Sequence, residues 1–104
     1  MARDHILVID QGTTSTRVIV YDFSLRPKGQ GQEEVLPTFP RSGWVEHDPR
    51  AIVASVGAEV TTALLNARVR AENIAAVGIT NQRETTIVWD RETGEPIAPA
   101  LVWQ

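Results

Sequence analysis

Apolar residues open the chain in two unbroken runs, Ile6-Leu7-Val8-Ile9 and Val18-Ile19-Val20-Tyr21. Short runs without alternation predict strands covered on both faces. We place strands at residues 5–10 and 16–22, and a weaker one around 29–36. The turn between the last two falls at 22–28, where Pro27 breaks the extension. Residues 37–48 read as a loop punctuated by Pro37, Pro40 and Gly43. Asp48-Pro49 then supplies an N-cap and a first helical residue. Downstream, Ile52, Val53, Val56, Val60, Ala63, Leu64 and Ala67 recur at three- and four-residue spacing and predict one apolar helical stripe. Arg68 and Arg70 fall where a last helical turn accepts cations. Strands follow at 74–80 and 85–89. Asp90 to Gly94 suits a hairpin turn with Gly94 left-handed, and an apolar run closes the chain. Strands, one crossover helix and strands again make an α/β pattern with antiparallel opening hairpins.

Chemistry concentrates where the first strand ends. Asp10 sits at the rim of the sheet, followed by Gln11-Gly12-Thr13-Thr14-Ser15-Thr16-Arg17. Gly12 can take positive φ and lets a ligand approach the backbone. The turn N–H groups and the hydroxyls of Thr13, Thr14, Ser15 and Thr16 form a donor set suited to phosphate oxygens. Asp10 would then hold an accompanying Mg²⁺ through water. Neither G-x-x-x-x-G-K-[ST] nor G-x-G-x-x-G occurs, so this is not one of the commoner phosphate loops. A second constellation is Asn81-Gln82-Arg83-Glu84-Thr85-Thr86. There a guanidinium fork beside a carboxylate suits a ligand with adjacent hydroxyls. Neighbours on a regular strand face opposite ways, so both can serve one ligand only if the backbone turns at 81–84.

Composition narrows the class. At 104 residues the chain has the size of one ordinary domain and can bury a core. Net charge is -3 with the basic residues scattered, which disfavours nucleic acid as a partner. The absence of cysteine excludes disulfides and thiolate metal sites. The first apolar run is cut short by Asp10, so neither a signal peptide nor a membrane span is read there, and a cytoplasmic protein is expected. The chain stops inside an apolar, strand-like run, Ala100-Leu101-Val102-Trp103-Gln104, which leads us to expect an N-terminal piece of something longer. His47, between Glu46 and Asp48, reads as part of the helix cap rather than a metal ligand. His5 reads as solvated, and Trp44 and Trp89 as packing residues.

Four stretches together carry a resemblance: residues 10–17, Gly43-Trp44-Val45-Glu46-His47-Asp48-Pro49, residues 78–89, and 102–104. In order and spacing they resemble the FGGY carbohydrate kinases, and most narrowly the branch that phosphorylates glycerol. The resemblance implies a ribonuclease-H-like, actin-type ATPase fold, with residues 1–104 forming the N-terminal part of the first kinase domain. It implies transfer of phosphate from ATP to glycerol with Mg²⁺, in a homo-oligomer at full length. By position it makes Asp10 the residue near the metal and Thr13, Thr14, Ser15 and Arg17 the nucleotide-phosphate residues. Arg83 and Glu84 become glycerol-binding residues, with Trp103 the aromatic wall beside them. It also places the catalytic base beyond Gln104, since none of Asp4, Asp10, Asp22, Asp48 and Asp90 matches it. Thr16 stands where many relatives carry serine, and the helix lacks a tryptophan common near Val53. Two alternatives stay open: a kinase for another polyol or ketose, and a non-catalytic nucleotide-binding module.

Overall fold

The computed structural model describes residues 2–82 and 85–102. Strands β1 (His5–Gln11), β2 (Ser15–Asp22) and β3 (Pro27–Glu34) follow one another, then a two-residue strand β4 (Glu46–His47). Helix α1 (Pro49–Ala67) leads through a 3-10 turn into β5 (Ile74–Thr80), and a short β6 (Ala100–Leu101) comes last. The main sheet runs β3-β2-β1-β5. β1 pairs antiparallel with β2, β2 antiparallel with β3, and β1 parallel with β5. A parallel partner needs a crossover, which α1 supplies.

Residue alternation divides the two faces of this sheet. Leu7, Val18 and Val20 point to the helix side and, with Ala63 of α1, make the fully buried cluster. Each such aliphatic side chain contributes about 1.5–3 kcal/mol by leaving water. Strand β3 is almost wholly polar, Pro-Lys-Gly-Gln-Gly-Gln-Glu-Glu, yet it is eight residues long. As an edge strand it is templated by β2 rather than by its own apolar pattern, and Pro27 is tolerated at its first position. Its glycines answer to α1. A Cβ on Gly29 would lie 2.3 Å from the backbone N of Ala67, and one on Gly31 2.5 Å from a Glu59 carboxyl oxygen. The helix therefore lies directly on the strand backbone.

The expected stripe holds over its C-terminal part, where Val60, Ala63, Leu64 and Ala67 pack on the core, and the contact with β3 adds polar residues to the buried face. Ser55, Glu59 and Ala63 are the buried residues of α1 beyond Pro49, whereas Val53, expected in the apolar stripe, is 72% exposed. The N-terminus is as expected: Asp48 is the cap and its side chain accepts the Arg50 N–H at 2.9 Å. The C-terminus is not. Arg68 is the C-cap in the left-handed region, φ 56, and Arg70 lies beyond the helix, so neither cation sits in the last turn. The 22–28 turn also differs, closing through Asp22 and Leu25 (φ 61), while Pro27 begins a strand.

Beside the main sheet a small layer forms from short pieces. β4 pairs with β6, Thr38 bridges to Glu46, and Thr86 bridges to Leu101. No strand forms over the described part of 85–89, only bridges at Thr86 and Trp89. The 90–94 turn forms as expected, with Gly94 at φ 75 and Asp90 accepting the N–H groups of Glu92 and Thr93.

Candidate functional site

Asp10 stands near the end of the central strand, opposite Arg17 in β2 and Thr80 in β5. Directly opposed residues share a face, so the three side chains meet on the side of the sheet away from α1. Asp10 Oδ1 accepts the Thr80 hydroxyl at 3.2 Å, and Arg17 Nη2 lies 3.7 Å from Oδ2. Both charged side chains are a little under half exposed. The carboxylate is thus held in place from both neighbouring strands while still open to a ligand.

The connecting turn is tight. Gly12 N–H donates to Ser15 O at 2.9 Å, and the Thr14 carbonyl accepts Val35 N–H at 2.9 Å. Gly12 does not use its freedom to take positive φ; Gly43 and Gly94 are the glycines that do. What Gly12 supplies is closeness, since a Cβ there would sit 3.3 Å from Ser15 O. Thr13 and Thr14 occupy the tip, and Ser15 falls on the Asp10 side with Arg17.

Thr16 does not join the expected donor set. Alternation turns it to the helix side, where it is wholly buried. Its hydroxyl donates to Gln11 Oε1 at 2.7 Å and meets Ser55 Oγ of α1 at 2.6 Å. Gln11 Nε2 in turn lies 3.3 Å from Gly12 O. A chain of polar contacts therefore runs from the helix to the phosphate turn. Gln11, Ser55 and Thr80 were not singled out from sequence. Thr80 ends an expected strand, but its opposition to Asp10 depends on a parallel register that spacing does not reveal.

The second constellation is only partly visible. Arg83, Glu84 and Trp103 lie outside the described residues. The parallel register of β1 and β5 nonetheless brings Thr80, three positions before Arg83, beside Asp10. A cleft of about 560 Å³ lies elsewhere, between α1 and the 85–97 segment. Ile52, Val53, Ile87 and Trp89 line it, and Arg50 and Glu95 are paired with each other at its rim. It offers no converging free polar groups and stands apart from Asp10.

Residues 5–104 match the FGGY family of carbohydrate kinases, N-terminal domain. The chain belongs to that family. This FGGY chain is 58% identical over 99 residues to a glycerol kinase of Allorhizobium ampelinum, covering 95% of itself and 20% of that protein. It superposes on the crystal structure of Plasmodium falciparum glycerol kinase with ADP at a TM-score of 0.83 and 36% identity, over 95% of this chain and 20% of that one. A xylulose kinase from Lactobacillus acidophilus shares the fold at TM-score 0.82, with 22% identity, over 95% and 19% of the two chains. The fold is the actin-like ATPase fold of these sugar kinases, a mixed α/β sheet with its crossover helix. The FGGY chain spans a fifth of the length of the curated relative it matches. No helix among the described residues is long and apolar enough to cross a membrane.

Proposed function

We propose that the protein carrying this chain transfers the γ-phosphoryl group of ATP to glycerol, releasing ADP and sn-glycerol 3-phosphate. The observation that carries the reading is 58% identity to a glycerol kinase, against 22% to a xylulose kinase of the same fold. Phosphoryl transfer asks mainly for alignment and charge stabilisation. In this reading the hydroxyls of Thr13, Thr14 and Ser15 bind nucleotide phosphate, with Arg17 close behind. Arg83 and Glu84 orient the triol against Trp103, and the base that takes the hydroxyl proton lies beyond Gln104.

Asp10 fits Mg²⁺ as a single outer ligand. It is one carboxylate beside a guanidinium, and no three acidic, histidine or cysteine side chains converge among the described residues. An ion here arrives with the phosphates rather than in a protein cage, as Mg²⁺ usually does. When bound, it screens the phosphate charge. Asp10, pinned by Thr80 and Arg17, keeps one orientation toward it. Cytoplasmic location and homo-oligomeric assembly come with the same reading.

The test is a coupled ADP-release assay on the product of the whole reading frame, offered glycerol, xylulose and gluconate in turn. Glycerol is expected to give the highest kcat/KM. Preference for xylulose or gluconate overturns the substrate, and nucleotide binding without turnover on any of them overturns the activity.

A further inference from the structure

His47 closes β4 and is completely buried. Its backbone pairs with Ala100 of β6, and Val45 O accepts the Val102 N–H at 3.1 Å, so this ladder grips the chain up to the residue before Trp103. Its ring reaches the other way, accepting a hydrogen bond from Gln82 Nε2 at Nδ1, 3.2 Å away. Gln82 is itself buried and immediately precedes Arg83. With a donor aimed at Nδ1, the neutral imidazole carries its proton on Nε2. Desolvation holds the ring below its ordinary pKa and so favours that neutral form. Among the described residues neither His47 Nε2 nor Gln82 Oε1 has a partner. An apolar residue would fill the space without orphaned atoms, so packing alone does not explain a histidine here.

We propose that His47 is a positioning residue of the polyol site, fixing the segment that enters Arg83–Glu84 relative to the strand that enters Trp103. The proposal rests on the glycerol-kinase reading above. It gives the Gly43–Pro49 motif a task besides capping α1. The side chain holds Gln82, on the approach to one arm, and the backbone ladder holds Ala100–Val102, on the approach to the other, so in this proposal substrate orientation depends on one buried ring.

Steady-state kinetics of His47→Leu and His47→Asn, on the product of the whole reading frame, test it with glycerol and ATP varied separately. Asparagine keeps an acceptor for the Gln82 amide and leucine does not. Leucine is expected to raise KM for glycerol by about tenfold, the scale of one lost buried hydrogen bond. KM for ATP should stay unchanged, and asparagine should restore most of the loss. KM values for both substrates rising together, or asparagine behaving like leucine, overturns the positioning role. If the unsubstituted protein prefers another polyol, the glycerol reading falls, and the same split is read with that substrate. Imidazole ¹⁵N shifts of the unsubstituted protein give a check that no folding defect can mask. A fixed Nε2–H tautomer supports the proposal, and an Nδ1–H tautomer or an averaging ring overturns it.

Discussion

Thr16 has one hydroxyl proton and two close oxygen neighbours, Gln11 Oε1 at 2.7 Å and Ser55 Oγ at 2.6 Å. If the proton goes to Gln11, Ser55 must donate to Thr16, sharing its proton with the Ile52 carbonyl 2.7 Å away. Thr16→Val keeps the shape but removes both roles and leaves buried polar atoms unpaired. A loss of about 1–3 kcal/mol is expected in urea unfolding. Thr16→Ser keeps the hydroxyl and forfeits one methyl, about 0.8 kcal/mol. Equal losses for the two variants would remove the polar chain from the explanation. Glycines separate as sharply. Gly31→Ala must push Glu59 and the helix backbone off β3, costing about 1–3 kcal/mol. Gly57 lies exposed within α1 with nothing near its Cβ position. Gly57→Ala should therefore stabilise by about 0.5–1 kcal/mol through helix propensity. Thermal melts of both variants should shift in opposite directions.

The contact between α1 and β3 also joins two carboxyl groups. Glu59 on the helix hydrogen-bonds to Glu33 on the strand, and this contact, with burial and the Glu33 charge, raises the Glu59 pKa above the ordinary 4.5. A shared proton is what makes the pair attractive. Because the folded pKa is the higher one, the stabilisation is complete below the unfolded value and is lost as pH rises through the folded value. Asp22 has the opposite sign. The Arg26 N–H foremost holds it below 3.8, so its contribution is present above that value and lost on acidification. Glu33→Gln keeps a hydrogen-bond donor for an ionised Glu59. The stability of the unsubstituted protein relative to this variant should fall as pH rises above about 4.5. Parallel Tm–pH curves would sink the shared proton. At this scale the sequence announces α1 clearly, because Asp48-Pro49 carries its own capping chemistry. The apolar stripe finds Val60, Ala63, Leu64 and Ala67 of the buried face but misses Ser55 and Glu59, which are buried against Thr16 of β2 and Gly31 of β3. β3 was legible only faintly, because an edge strand needs no apolar pattern to pair.

At the scale of the molecule, sheet order decides what meets. The apolar runs of β1 and β2 are readable as a hairpin, and the Asp10 turn with them. The parallel pairing that sets Thr80 beside Asp10 is long-range, and no local spacing encodes it. Arg83 and Glu84 stand out in the sequence as a guanidinium fork beside a carboxylate and Trp103 only through the resemblance, while the His47–Gln82 contact is announced by nothing in the sequence. The same sheet order leaves one flank bare. Helix α1 packs on β2 and β3, while Val77 and Ile79 of β5, at the sheet edge, are 55% and 71% exposed. The radius of gyration, 15.5 Å, exceeds the roughly 13 Å of a compact domain of this size. An apolar edge with unpaired ladder groups recruits another strand. Residues 1–104 expressed by themselves should therefore self-associate and bind an apolar fluorescent dye, visible by light scattering and emission. On the proposed reading, in which the base lies beyond Gln104, they should show no glycerol-dependent ADP release. Ile79→Lys puts a charge on the bare edge and should shift the polypeptide toward monomer while leaving the buried Leu7–Val18–Val20–Ala63 cluster intact. A monomeric, dye-silent polypeptide without that substitution would show that β5 needs no cover, and the bare flank would then be an ordinary solvent face.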